Sequence, residues 1–101
     1  MELHELEARM HAFVADKGWY AEGSPKEQTA RNLAISLVLE ASEVLEHFQW
    51  GPEVKRQEEL AGELADVALY LLQLASITDI DLEQAILDKL AENRDRHWPP
   101  P

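Results

Sequence analysis

Apolar residues recur along most of this chain at spacings of three and four positions, which is the period of an amphipathic α-helix. The first segment shows the pattern clearly, with Leu3, Leu6, Met10 and Val14 on one stripe, and Gly18 is a natural stop after it. No segment has the strict alternation of apolar and polar residues that is typical of a half-buried strand. The pattern therefore predicts an all-α protein.

Four helices are predicted from this period and from capping residues. Short connections favour antiparallel neighbours, so the simplest assembly is an antiparallel helical bundle in one domain spanning residues 1–101. A chain of 101 residues buries only a modest core, and we therefore expect copies to associate into an oligomeric bundle. The first predicted helix is Leu3–Lys17, and the last is Leu82–Asp95 with Asp81 as its cap. The second helix is predicted to start either at the capping box Ser24–Glu27 or near Thr29, and to end at Trp50-Gly51-Pro52. The third is predicted to span Val54–Thr78, and its inward-facing residues are Leu60, Leu64, Val67, Leu71 and Leu74.

The formal net charge of −11 makes nucleic acid and anionic membranes unfavourable partners. The longest apolar run, Leu33–Leu39, is far below the ~18 residues that cross a bilayer, so no membrane span is expected. The polar N-terminus lacks the features of a signal peptide. The absence of cysteine fits a reducing compartment, and a cytoplasmic location is expected.

Two pairs of acids border the apolar stripes of the second and third helices. Glu40 and Glu43 are three residues apart, as are Glu63 and Asp66, so each pair shares one helix face. No Lys or Arg occurs in residues 32–54 or 57–88, so ordinary i,i+4 partners of opposite charge are missing. Like charges that meet at a buried seam require protonation or a bound cation.

The residues alone leave two interpretations of these acids open. They are either a solvated acidic surface or a cation site. Oxygen-only ligands would suit Mg²⁺, Mn²⁺ or Ca²⁺. The Glu-x-x-His pairs of di-iron bundles are absent from the sequence, and there is no His-Cys cluster of the kind that binds zinc.

The order of the acids, with 19 residues between the two pairs, resembles the pattern of the MazG-type all-α nucleoside triphosphate pyrophosphohydrolases, and most closely their dCTP pyrophosphatase branch. The resemblance covers about residues 10 to 99. The segments that carry it are Arg31-Asn32-Leu33, Glu40-x-x-Glu43, Glu46-His47-Phe48-Gln49-Trp50, Glu63-Leu64-Ala65-Asp66-Val67, Tyr70-Leu71, and Lys89 with Asn93-Arg94.

The resemblance implies a helical bundle that forms homo-oligomers, with a tetramer favoured over a dimer. It also implies Mg²⁺-dependent hydrolysis of a (deoxy)nucleoside triphosphate to the monophosphate and pyrophosphate, with Mn²⁺ as a substitute ion and dCTP or a modified cytidine nucleotide as candidate substrates. Glu40, Glu43, Glu63 and Asp66 would be the metal ligands, and Glu43 is the expected base for the attacking water.

The same resemblance implies the substrate contacts. Lys89, Asn93 and Arg94 would bind phosphate, although basic residues near a helix end also balance the helix dipole. The expected nucleoside contacts are His11, Trp19, Trp50 and Tyr70.

Two alternatives accompany this hypothesis. The chain could be a non-catalytic helical module that binds a partner or copies of itself, because its apolar stripes serve that purpose equally well. It could also be a phosphoribosyl-ATP pyrophosphohydrolase of the same superfamily. A substrate panel separates the enzymes, and magnesium titration separates either of them from an interaction module.

Overall fold

A computed structural model describes residues 1–54 and 56–100. Over these residues the backbone forms four α-helices and no strand, which confirms the predicted all-α class. The helices are α1 (Leu3–Asp16), α2 (Ala30–Glu46), α3 (Gln57–Ile77) and α4 (Leu82–Asp95). The predicted third helix began at Val54, three residues earlier than observed, and it included Lys55, which lies outside the described residues.

Side-chain caps determine where α2 and α4 begin. The Thr29 hydroxyl accepts a hydrogen bond from the backbone N–H of Asn32 at 3.1 Å, and the Asp81 carboxylate accepts one from Gln84 at the same distance. Ser24 instead accepts a hydrogen bond from the N–H of Lys26, two residues on, in a turn within the loop. Of the two predicted starts for α2, the structure therefore has the one at Thr29.

The central helix is α3, which packs against each of the other three helices. A small core joins α1 to α3 and consists of Met10, Val14 and Leu72, with Leu82 at the start of α4 packed against it. Leu33 of α2 is 2% exposed and is the most buried side chain. The position of α3 explains why it carries apolar residues on several faces rather than along one stripe.

The predicted inward-facing stripe of α3 is correct only in part. Leu60 is buried, whereas Leu64 and Leu71 are 52% and 42% exposed, and Leu72 and Ala75 occupy the core instead. A single 3.6-residue stripe describes a helix with one packing partner, and α3 has three.

The apolar character of α3 also corrects the expectation that no segment could span a membrane. By length and composition alone, α3 would be able to cross one, because an 18-residue window within it has a mean hydropathy of 1.4. Counting uninterrupted apolar residues missed it, because Glu63, Asp66 and Gln73 interrupt the mainly apolar and small residues that follow Glu59. Its packing against three other helices accounts for the same composition.

The single chain leaves an unusually large surface uncovered. Its accessible area is 8027 Å², against about 5,800 Å² for a compact monomer of this mass. Its radius of gyration is 16.4 Å, against about 13 Å expected. No residue of α4 is buried, so this helix does not complete a closed four-helix bundle within the chain. The exposed apolar side chains include Val38, Leu39 and Leu45 on α2 and Ile86, Leu87 and Leu90 on α4.

Candidate active site

The two acid pairs meet where α2 packs along α3. Burial is the largest cause raising the pKa of Glu40 above its ordinary value, and the adjacent Glu43 carboxyl raises it next, through a hydrogen bond and through its charge. The negative charges of Asp66 and Glu63 raise this pKa further. Glu40 Oε2 is buried and has no hydrogen-bond partner among the described residues. The fold thus brings the other three predicted acids close enough to Glu40 for their charges to disfavour its ionised form.

The donor chemistry of this quartet fits a hard divalent cation. All eight side-chain oxygens are carboxylate oxygens, the ligand type that Mg²⁺, Mn²⁺ and Ca²⁺ prefer. The unpartnered oxygen of Glu40 is a group that a cation would satisfy. Within the described residues, no three His, Cys, Asp or Glu side chains are gathered into a ready metal site. Ligation by several of these acids therefore requires their side chains to draw together.

A histidine that was given no role from the sequence contacts the quartet. His47, in the turn after α2, hydrogen-bonds through Nε2 to Glu63 Oε2, and its side chain is only 10% exposed. Next to it, Arg56 forms an exposed ion pair with Glu59 at 3.0 Å. These residues and Glu43 line one shallow cavity of about 220 Å³. Basic side chains are scarce around the acids in the sequence, but the fold places the Arg56 guanidinium beside them.

An apolar pocket of about 270 Å³ lies between α1 and α3. The end of α1 positions one wall: Gly18 adopts φ 75°, and the N–H of Trp19 bonds back to Val14 O at 3.2 Å. The Phe13 and Trp19 rings pack nearly perpendicular to each other, with centroids 5.6 Å apart. The Lys26 ammonium lies 4.6 Å from the centre of the same ring. Trp19 is therefore held at the pocket by contacts on α1 and in the loop that follows.

Residues of α3 form the opposite wall of the apolar pocket. Asp66, Tyr70 and Gln73 all line it, at helical spacings of four and three. Asp66 belongs to the acid quartet as well, so the apolar pocket and the carboxylates are adjacent parts of one region. Trp19, Asp66 and Tyr70 were expected at the site from the sequence, whereas Gln73 was not.

His11 lies beside this pocket within a chain of hydrogen bonds. Its Nδ1 contacts the Tyr20 hydroxyl at 2.5 Å, and its Nε2 contacts Ser76 Oγ at 2.7 Å. Burial raises the pKa of Tyr20, and a hydrogen bond from Gln73 acts in the opposite direction. Because both ring nitrogens of His11 have protein partners, a direct contact with substrate would require it to exchange one of them.

The profile of the MazG-like family matches residues 35–99, which is more than half of the sequence and includes all four acids. The chain belongs to the MazG-like family. It is 38% identical to dCTP pyrophosphatase 1 of Mus musculus and 37% identical to dCTP pyrophosphatase 1 of Homo sapiens, in each case over 88% of this chain and 55% of the relative. This MazG-like chain thus spans about half the length of those curated relatives.

A solved structure, that of a pyrophosphatase from Archaeoglobus fulgidus DSM 4304, superposes on the fold with a TM-score of 0.77. The two chains are 32% identical, and the superposition covers 90% of this chain and 87% of the other. The helical arrangement described above is therefore one that a MazG-like chain shares with a pyrophosphatase.

Four predicted substrate contacts of this MazG-like chain lie away from both cavities described above. Trp50 is 87% exposed at the end of α2. On α4, Lys89 pairs with Glu92 at 3.3 Å, the Asn93 carbonyl accepts a hydrogen bond from Trp98 at 2.7 Å, and Arg94 lies in the last turn. Trp50 does line a neighbouring surface cavity together with His47, the histidine that contacts Glu63. The roles of all four residues stay predictions.

Proposed function

We propose that this chain hydrolyses a nucleoside triphosphate to the monophosphate and pyrophosphate in the presence of a divalent cation. The proposal rests mainly on one observation, which is that a buried oxygen of Glu40 has no hydrogen-bond partner in the described part of the chain and lies among four carboxylates. These carboxylates are beside the apolar pocket, which Asp66 also lines. Membership of the MazG-like family and likeness to proteins named dCTP pyrophosphatase support the same reaction.

Glu40, Glu43, Glu63 and Asp66 are the residues we assign to hold the cation, with Mg²⁺ as the expected ion and Mn²⁺ as a substitute. When bound, such an ion neutralises phosphate charge and lowers the pKa of a coordinated water. His47 donates to one oxygen of Glu63, and Glu63 retains its second oxygen for ligation.

Glu43 is the residue we assign as general base. It is exposed on α2, lines the cavity shared with Glu63, and is thus accessible to water. In the reaction its carboxylate takes a proton from the water that attacks a phosphorus atom, and the bond between the α- and β-phosphoryl groups breaks as pyrophosphate leaves. The neighbouring Glu40, whose Oε2 is buried and whose pKa is raised, is less suited to this task because its charged form is disfavoured.

The apolar pocket is the site we assign to the nucleobase. Trp19 and Tyr70 present aromatic surfaces from opposite walls, and base–aromatic stacking contributes about 1–3 kcal/mol per base. The pocket shares Asp66 with the quartet, so a base bound there would direct its phosphates towards the carboxylates. We propose dCTP or a modified cytidine nucleotide as the substrate.

We further propose that the active form is a homo-oligomer, with a tetramer favoured. The chain exposes about 2,200 Å² more than a compact monomer of its size, which is enough for a stable protein–protein interface. Trp50, Lys89, Asn93 and Arg94 line neither the cavity beside the acids nor the apolar pocket of their own chain, and a second copy is one way they would reach a substrate.

A nucleotide panel tests the proposal. Purified protein with Mg²⁺ should convert at least one deoxynucleoside triphosphate to monophosphate and pyrophosphate, resolved by ion-exchange chromatography, and Glu43→Gln and Asp66→Asn should each abolish turnover without loss of helicity. Inclusion of phosphoribosyl-ATP tests the other superfamily reaction. Release of inorganic phosphate alone would contradict the proposed bond cleavage. No turnover, together with no stabilisation by Mg²⁺, would favour an interaction module.

A further inference from the structure

Gln73 is a buried polar residue in the wall of the apolar pocket. It is 3% exposed, lies one turn after Tyr70 on α3, and contributes an amide group to a pocket that is otherwise mostly apolar. An amide buried away from water is unfavourable unless its donors and acceptor find partners. The hydrogen bonds of Gln73 therefore indicate what a ligand would have to supply.

Both hydrogens of the Gln73 amide already have partners in the protein. Nε2 donates to Gln28 Oε1 at 2.7 Å and to the Tyr20 hydroxyl at 3.3 Å. Gln28 is itself held in place, because its Nε2 donates to the backbone carbonyl of Lys26 at 2.7 Å. Rotating the Gln73 amide by half a turn would place its oxygen against Gln28 Oε1, acceptor against acceptor. The amide is thus fixed with Nε2 towards the loop.

The Tyr20 hydroxyl reinforces this orientation. It accepts from Gln73, so its own hydrogen is directed to His11 Nδ1, and the other ring nitrogen of His11 then donates to Ser76 Oγ. The hydrogen bonds run in one consistent direction from α3 through the loop to α1 and back to α3. They also give His11 a structural task beside the pocket.

No hydrogen bond joins Gln73 Oε1 to a group within residues 1–54 and 56–100, yet this oxygen is not one of the fully buried atoms without a partner, so it is open to solvent. Gln73 Oε1 is therefore an acceptor without a protein donor, on a side chain that lines an apolar pocket. A ligand that places an N–H there gains a hydrogen bond, whereas a ligand that places a carbonyl there leaves two acceptors facing each other.

We infer that Gln73 is a specificity-determining residue for the base, with Oε1 accepting a hydrogen bond from an exocyclic amino group. The inference rests on the proposed function to the extent that the ligand is a nucleotide. Cytosine carries an amino group at ring position 4, where uracil carries a carbonyl, so the pocket should prefer cytosine by about 10- to 100-fold in Kd.

Binding of monophosphates tests this without turnover. Isothermal titration with dCMP and dUMP, in Mg²⁺ buffer, should give a preference for dCMP with the unaltered protein. Gln73→Met, which keeps the length of the side chain but removes the acceptor, should reduce the preference to about threefold or less, mainly by weakening dCMP. Circular dichroism reports whether the variant is folded.

A second variant leaves Gln73 in place and removes the closer of its two orienting partners. Gln28→Met deletes one acceptor for Nε2 and leaves only the longer bond to the Tyr20 hydroxyl, so the Gln73 amide is held less firmly and the preference for dCMP should fall. Because Gln28 also lines the pocket, the readout is the ratio of the two Kd values rather than either Kd alone. This variant also carries the test if Gln73→Met does not fold. If Gln73 had a merely structural role, its substitution would weaken the binding of dCMP and of dUMP equally, and the ratio of the two Kd values would not change.

The outcomes separate the inference from the proposed function. Pyrophosphate release from triphosphates together with an unaltered dCMP/dUMP ratio in the folded variants overturns the role of Gln73 but not the enzyme. A Gln73-dependent preference without pyrophosphate release supports the role of Gln73 and refutes the activity. Failure of dCMP to bind overturns the inference.

Discussion

Replacing Glu40 by Gln should stabilise the cation-free protein while removing its response to magnesium. In the cation-free state, Glu40 holds a buried oxygen without a partner and faces the charges of Glu43, Glu63 and Asp66. The amide is neutral and nearly isosteric, and it can donate a hydrogen bond to Glu43. The substitution therefore removes repulsion without creating a cavity.

The size of the effect follows from Coulomb's law and exposure. Two like charges about 4 Å apart repel by about 1 kcal/mol in water and by about 4 kcal/mol at an effective dielectric constant of about 20. Because Glu43 and Asp66 are exposed and screened by solvent, the lower value applies. We therefore expect Glu40→Gln to raise the free energy of unfolding by about 1 kcal/mol. For a domain of this size that corresponds to a rise in Tm of about 4–8 °C.

The assay is thermal unfolding with EDTA and with excess Mg²⁺, at one protein concentration because association also shifts Tm. The free energy of unfolding of the unaltered protein should rise by about 2.7 kcal/mol when Mg²⁺ is at 100 times its Kd, and that of Glu40→Gln should rise far less. Glu22→Gln, in the exposed loop, is the matched control and should change neither value. A variant that is less stable in EDTA, yet responds fully to Mg²⁺, would refute the assignment of Glu40.

The remaining predictions concern pH, stacking and association. Folding raises the pKa of Glu40, so its protonation stabilises the folded state; this contribution is complete below the ordinary value of 4.5 and is lost as pH rises through the folded-state value. The Tm advantage of Glu40→Gln in EDTA should therefore shrink as pH is lowered from about 7 towards 4.5, and a constant difference would contradict it. Trp19→Ala should raise KM at least about fivefold with a smaller change in kcat, because a stacking surface worth about 1–3 kcal/mol is lost; steady-state kinetics that do not change would exclude Trp19 from the base site. Leu87→Glu should reduce the mass found by light scattering, because it charges an apolar position of α4 that is 54% exposed in one copy; an unaltered protein that is already monomeric would refute the association.

Local rules predicted the parts of the fold that depend on neighbouring residues. Thr29 and Asp81 cap helices because their side chains reach an N–H three residues on, and Gly18 ends α1 because it tolerates positive φ. The i,i+3 spacing of Glu63 and Asp66 places both on one face wherever the helix goes. These features are fixed within a few positions of sequence, and the structure has them.

The parts that could not be predicted depend on contacts between distant segments. Gln73 meets Gln28 and Tyr20 across 45 and 53 positions, and His47 meets Glu63 across 16, so no periodicity or spacing rule indicates these partners. The outward direction of Leu64 has the same cause, since the exposure of a residue on α3 depends on which neighbours cover each face. Polar residues in an apolar stripe are a usable signal, because a buried amide such as that of Gln73 needs partners.

The three tryptophans occupy surroundings different enough to be told apart by light. Trp50 and Trp98 are 87% and 53% exposed in a single copy, so the neutral quencher acrylamide should reach them readily wherever association leaves them uncovered, whereas Trp19 is half-buried between the Phe13 ring and the Lys26 ammonium. The emission that survives a quencher therefore reports chiefly on the pocket wall. This gives the protein an intrinsic optical reporter that needs no label and that follows ligand entry on the stopped-flow timescale.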